Sequence, residues 1–248
     1  MRAKTAAKFI SIVLGAGVLC AAPSVAAVYP SGPSIPENLL RISVRFAHPV
    51  AGSEMPGIKL ERSSGSETQN VFDRDVVWSP DLLVLTLLLG PGRVKTGLNA
   101  HNQLGRALLQ GESVALSIDG KIVKSWRVTP ALNQQINPNN WALQAPGSAR
   151  MGPVRISFPA PIDAMDKNYL VVLDPEGHRV AGQAMLTGGE REWQFVPDAP
   201  WADGHYAILV NPRLEDPCGN SVSTEFEISG PVQSQRPPAP LRLRFRVG

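Results

Sequence analysis

The sequence predicts an all-β chain of two similar modules behind an export leader. Three observations carry this. One strand pattern, apolar-x-apolar-x-Phe-x-x-Pro-apolar, occurs twice, at Ile42, Val44, Phe46, Pro49 and Val50 and again at Val154, Ile156, Phe158, Pro161 and Ile162. Short alternating segments recur along both halves, separated by Gly/Pro turns. Helical periodicity is almost absent. Period-two alternation places the three apolar residues of each repeat on one side of a strand. Arg41, Ser43 and Arg45, or Arg155 and Ser157, fall on the other, which predicts one buried and one wet face. The proline three residues past each Phe cannot donate to a ladder and ends the strand or marks an edge.

The chain opens with Arg2, Lys4 and Lys8, then an apolar run over residues 9–20. That run is shorter than the ~20 residues a membrane-spanning helix needs. Ser24, Val25, Ala26 and Ala27 offer small residues for cleavage near Ala26 or Ala27, so residues 1–27 read as a signal peptide and the mature chain as periplasmic or extracellular. Cys20 follows the apolar run and raises a lipoprotein alternative. Leu19 stands before it where a small residue is wanted.

In the first module, residues 28–130, residues 29–36 are extended and fixed by prolines. Strands follow at 40–46 and 58–60. A polar loop covers 63–67. The nearly continuous apolar run 82–89 suits a strand covered on both faces, stopped by Gly90, Pro91 and Gly92. An insert spans 97–110, within which residues 106–110 can form a helical turn. Val114, Leu116 and Ile118 alternate up to Asp119-Gly120, a hairpin signal, and Trp126 and Val128 alternate in a closing strand. Residues 131–140 read as a linker rich in Asn, Gln and Pro.

The second module, residues 141–230, starts at Trp141 and Leu143. Strands are predicted at 154–158 and 169–173, with a turn at 174–177 (Asp-Pro-Glu-Gly). Trp193 and Phe195 alternate in another strand. So do Tyr206, Ile208 and Val210 after Gly204. A turn covers 214–220, and Phe226 and Ile228 alternate in a last strand. Residues 231–248 form a stiff Pro-rich spacer and a basic tail. In that tail Leu241, Leu243, Phe245 and Val247 alternate with Arg242, Arg244 and Arg246. This is the pattern of an edge strand with one face on a core. The expectation is that it folds back onto the second module; the alternatives are a partner's sheet or a disordered tail.

Removing the leader takes three basic and no acidic residues from 24 Lys+Arg against 21 Asp+Glu, so the mature chain balances. No basic field spans a module, which argues against nucleic acid as a partner. No further long apolar run follows the leader, so no transmembrane segment is expected after its removal. Cys218 is then alone and no internal disulfide can form.

The residues 35–46, the strand 204–210 and the 214–220 turn (Leu-Glu-Asp-Pro-Cys-Gly-Asn) together resemble tandem bacterial Ig-like domains of the surface-layer and adhesin type. The resemblance covers residues 30–230. It implies two tandem Ig-like β-sandwiches and says little about function, because such domains serve as spacers, adhesion modules and accessory domains.

The chemical motifs are sparse. Residues 90–96 resemble a phosphate loop, but Val94 stands where Gly must precede the Lys. His48, His101, His178 and His205 share no metal spacing. Periplasmic copper carriers resemble this chain in their opening and use a later Asp-x-His, of which Asp203-Gly-His205 is a loose echo. Asp163/Asp166 and Glu190/Glu192 read as carboxylates on wet turns and strand ends. Cys218 reads as a turn residue. Trp126 and Trp193 read as core. Trp78 and Trp201, each beside a proline, are the better candidates for an exposed contact, with packing over a sandwich end the leading reading even for them, and Arg242, Arg244 and Arg246 form a second interaction set. No catalytic, cofactor or metal site is expected. The leading expectation is a non-catalytic structural or protein-binding module, its partner another envelope protein. The alternatives are a periplasmic carrier of copper or glycan and a two-domain periplasmic chaperone.

Overall fold

The computed structural model describes residues 24–50, 57–62, 71–73, 76–94, 105–147, 150–222 and 241–248. These residues are mostly β, arranged in four sheets around two hydrophobic cores.

The first half contributes β1 (Val25–Tyr29), β2 (Ser34–Pro36), β3 (Arg41–Phe46), β4 (Ile58–Arg62), β5 (Val77–Trp78), β6 (Val84–Leu88), β7 (Ser113–Ile118) and β8 (Lys121–Thr129). One sheet has the order β1-β3-β6-β5 and the other β2-β8-β7-β4. All pairs are antiparallel except β2 with β8. Ile42, Val44 and Phe46 from the first sheet meet Leu60, Leu116 and Trp126 from the second in one core. Trp126 is buried, and its indole N–H donates to the Pro30 carbonyl at 2.9 Å, which satisfies its one polar atom.

The second half contributes β9 (Ala142–Gln144), β10 (Val154–Ser157), β11 (Leu170–Leu173), β12 (Gly182–Thr187), β13 (Glu192–Pro197), β14 (Gly204–Val210) and β15 (Leu241–Val247). Its sheets are ordered β12-β13-β10-β9 and β11-β14-β15. Val154, Ile156 and Phe158 lie in the second core with Trp193, Phe195, Tyr206 and Ile208.

Both repeats therefore bury the apolar face they were expected to bury. The opposite face of β3 is less wet than alternation suggests. Ser43 is buried, because residues of the second half, Asp163 and Pro217 among them, lie over that face, and its hydroxyl lies 3.3 Å from that of Thr86. The hairpin at Asp119 and Gly120 forms with φ of 49° and 78°, the double left-handed turn that matches strand twist. The apolar run 82–89 is shorter as a strand than expected. Leu82 turns at φ 56° and is exposed, and β6 starts at Val84.

The helical turn falls elsewhere than predicted. Residues 106–110 form bends and a turn, with Ala107 and Leu108 buried, whereas Pro91–Val94 forms one helical turn. Proline at the first helical position explains why the residues that stop β6 also start this turn. The loop 63–67, residues 97–104 of the insert and the alternating segment 225–228 lie outside the described residues.

Three residues assigned to the leader, Val25 to Ala27, belong to β1 and pair with β3 (Val25↔Phe46, Ala27↔Arg45). Small residues suit a peptidase site and a thin edge strand equally well.

The tail docks as expected. β15 pairs with β14 along its whole length, from Gly204↔Val247 to Val210↔Leu241. Phe245 and Val247 are buried, while Arg242, Arg244 and Arg246 are exposed on the other face.

Gly182 shows how closely β12 lies on its neighbour. A Cβ there would meet the Val196 carbonyl oxygen and the Phe195 ring at 2.4 Å. Gly182→Ala should destabilise the protein by about 1–3 kcal/mol in urea denaturation, since one contact is with backbone that cannot swing away. A change below about 0.5 kcal/mol would refute this packing.

Candidate functional site

Among the described residues the buried carboxylates, Asp163, Glu190 and Asp216, collect where the two halves meet. Arg41 opens β3. Its Nε lies 3.0 Å from Asp163 Oδ2, and its terminal nitrogen pairs with the Glu215 carboxylate. Asp163 caps the 3-10 helix Ala164–Tyr169 by accepting the Met165 N–H at 2.8 Å. Asp166, one turn on, accepts the Glu215 N–H at 2.9 Å. A short segment thus aims two carboxylates at one guanidinium, because an N-terminal helical turn needs an acceptor at its cap and tolerates acid in its first turn.

The 214–220 turn supplies the rest. The Asp216 carboxylate accepts the N–H groups of Cys218 and Asn220 and the Asn220 side-chain amide, at 2.8, 2.9 and 2.8 Å. This leaves the Pro217 carbonyl to accept the Leu40 N–H at 2.9 Å. The buried Cys218 thiol lies 3.2 Å from Asn38 Oδ1. Asn38 also donates to the Leu132 carbonyl and accepts the Leu132 N–H, both at 2.9 Å, and Asn220 donates to the same carbonyl. The linker is therefore fastened to both halves.

On the other flank, Ser31 donates its N–H and hydroxyl to the buried Glu190 carboxylate at 2.9 and 2.5 Å. Backbones touch there: a Cβ on Gly189 (φ 67°) would meet Gly32 Cα at 3.0 Å. Glycine fits both the left-handed conformation and the close approach.

Electrostatics follow from burial. Burial opposes the charge on Arg41, and Asp163 and Glu215 outweigh it, so its pKa rises above the ordinary value. Burial raises the Asp163 carboxyl, with Arg41 pulling it back. Burial pushes Asp166 up to about 7 against the Glu215 N–H bond, and Asp216 up to about 6 against the bonds from Asn220 and Cys218. The small cavity beside Arg41 measures about 10 Å³, room for no more than a water-sized molecule.

The interaction residues read from sequence do not gather here. Trp201 is only 2% exposed, which corrects its reading as a surface contact. Its indole N–H donates to the Gly152 carbonyl at 2.8 Å, and its ring packs edge-on to Tyr206 and Phe245. Trp78 is half-buried, its ring 5.8 Å from that of Phe46 in the first core. Arg242, Arg244 and Arg246 face away from Trp201 across β15. Asp203 pairs with Arg150 at 3.1 Å, and His205 is exposed opposite Arg246. His48 and His178 are exposed, and His101 lies outside the described residues. Among the described residues no group of three or more His, Cys, Asp or Glu has the geometry of a metal site. None of their helices is long and apolar enough to cross a membrane.

The junction corrects the reading of the carboxylate pairs. Asp163 and Glu190 are buried, not wet, because each faces the other half of the chain. Cys218 is a buried member of the same network, not an incidental turn residue. The usable sequence signal was the Asp-Pro-Cys-Gly-Asn turn itself, whose Asp and Asn can close a turn and still bind outward.

No family model matches this chain, and no curated protein matches it. Several solved structures overlap it loosely. A pullulanase complexed with maltotriose from Anoxybacillus sp. LM18-11 shares 10% identity over 70% of this chain and 23% of its own, with a TM-score of 0.24. Domains 5–6 of the S-layer protein SbsC share 10% identity over 78% of this chain and 91% of theirs, with a TM-score of 0.24. The Yersinia pseudotuberculosis adhesin InvE shares 10% identity over 75% and 54%, with a TM-score of 0.21. The chain spans about a quarter of the length of the pullulanases it matches. These likenesses assign no activity.

Proposed function

We propose that this chain is a non-catalytic exported protein of two tandem Ig-like sandwiches, a structural or protein-binding module of a bacterial envelope. The strand order carries the reading. In the second half, β12-β13-β10-β9 and β11-β14-β15 follow the D-E-B-A and C-F-G order of a constant-type Ig domain when β9 to β15 are lettered A to G. Lettering β1, β3, β4, β5, β6, β7 and β8 the same way gives the same two orders in the first half, with β2 added beside the G strand. The clustered carboxylates favour a structural role over a catalytic one. Each is tied to the other half or to a turn, and the cavity that Asp163 and Glu190 line beside Arg41 measures only about 10 Å³. A general acid needs a substrate within hydrogen-bond reach.

The test is photo-cross-linking in intact bacteria from a probe placed at Arg244, followed by identification of the adduct and cell fractionation. The reading expects a processed protein in the envelope or medium and a discrete adduct with an envelope protein. An unprocessed protein confined to the cytoplasm would overturn export. Exported protein with no adduct from Arg244 or from a second probe at Trp78 would overturn partner binding and leave the spacer role.

A further inference from the structure

We propose that the junction between the two halves is a proton-controlled joint, closed when the carboxylates around Arg41 are partly protonated and loosened when all of them ionise. The geometry is a crowd of acids around one fixed cation. Asp163, Glu215 and Asp166 come from the second half and Arg41 from the first. Asp216 stands behind them on the turn that holds Leu40 through Pro217. Glu190 is already bonded to Ser31.

Among the described residues no other cation pairs with these carboxylates, and Lys124 of the first half donates to the Ser31 carbonyl at 2.6 Å. Lys167 follows Asp166 on its helical turn and offers its carbonyl to Trp193. The strands packed on that turn, β11 and β12, carry no ionisable side chain. The Cys218 thiol faces Asn38. One guanidinium can balance one or two carboxylates in a poorly solvated space; further ionisation there leaves uncompensated negative charge.

The sign follows. Asp166 and Asp216 are held above the ordinary carboxyl range, at about 7 and about 6, by burial. A raised carboxyl pKa contributes stability that is fully present below its unfolded value, near 3.9. It is lost as pH rises through the folded value. The joint is therefore tight near pH 5 and slack near pH 8. What slackens is the set of contacts between the halves; each core is assembled from its own half's strands and keeps its own packing.

The experiment places spin labels at Ile122→Cys and Met185→Cys, exposed positions on opposite halves, in the full chain. Distance distributions are recorded from pH 5 to pH 8. The inference expects a narrow distribution at pH 5 that broadens at least twofold by pH 8, with a midpoint between those limits. Asp166→Asn with Asp216→Asn, whose folding is checked by circular dichroism, should keep the narrow distribution at pH 8. If that double variant does not fold, Arg41→Gln serves. Removing the cation that favours ionisation should move the midpoint upward. A distribution unchanged from pH 5 to pH 8 in the labelled parent overturns the inference, as does a parent-like response in the folded double variant or an unmoved midpoint in Arg41→Gln.

Discussion

Deleting residues 241–248 should leave the first half folded and unfold the second. β15 contributes Phe245 and Val247 to the second core, and Phe245 packs on both Trp201 and Tyr206. Burying two such side chains is worth about 1.5–3 kcal/mol each. Their loss also strands the free edge of β14 over seven paired positions and opens the core to water. The total approaches the ~5–15 kcal/mol that a whole domain retains. Urea unfolding followed by tryptophan fluorescence should lose the transition reporting Trp193 and Trp201 and keep the one reporting Trp126. Adding back a peptide with the sequence of residues 241–248 should restore it. A truncated protein that retains both transitions at their original midpoints would show that β15 is not part of that core.

Phe46→Ala and Phe158→Ala should each cost about 3–5 kcal/mol, and each should lower a different transition. Phe46 is 1% exposed and Phe158 6%, one in each core. Neither site can collapse easily. Phe46 lies under Trp78, and Phe158 is held edge-on by Trp141 at 4.8 Å. Because the cores are separate, the two costs should add within about 0.5 kcal/mol in the double variant. Losses below about 1 kcal/mol at both positions would mean that the two repeats are not equivalent buried strands.

Some of this was legible in the residues and some was not, for identifiable reasons. Strands with one clean apolar face declared themselves: β3, β10, β14 and β15 all alternate, and each buries apolar residues on the expected face, although Ala207, Leu209 and Leu243 are only half-buried, Leu241 is exposed and Ser43 is buried on the opposite face of β3. β12 did not, because Gly-Gln-Ala-Met-Leu-Thr puts an apolar Met185 on its exposed face with Gln183, while the face on the core carries only the half-buried Gly182, Ala184 and Leu186, so polarity does not mark which face is inside. The full burial of Trp201 was hidden for a related reason. Its neighbours in sequence are a proline and an alanine, and what buries it comes from β13, β14 and β15. The junction was the least visible feature. Arg41 and Glu215 are separated by 174 positions, and nothing local distinguishes a carboxylate facing solvent from one facing another module.

The way each half closes also fixes an order of events during folding. β7 and β8 close the first half across two residues, Asp119 and Gly120, so their pairing is local and can form on the microsecond scale of an isolated hairpin. β14 and β15 close the second across residues 211–240. Loop-closure entropy makes that encounter costlier by about 2–3 kcal/mol, with no contact to offset it until the strands meet. The first half should therefore reach its native state earlier in refolding. Until β15 arrives, the waiting intermediate exposes the apolar face of β14, Tyr206, Ile208 and Val210, and is the species most prone to pair with another chain.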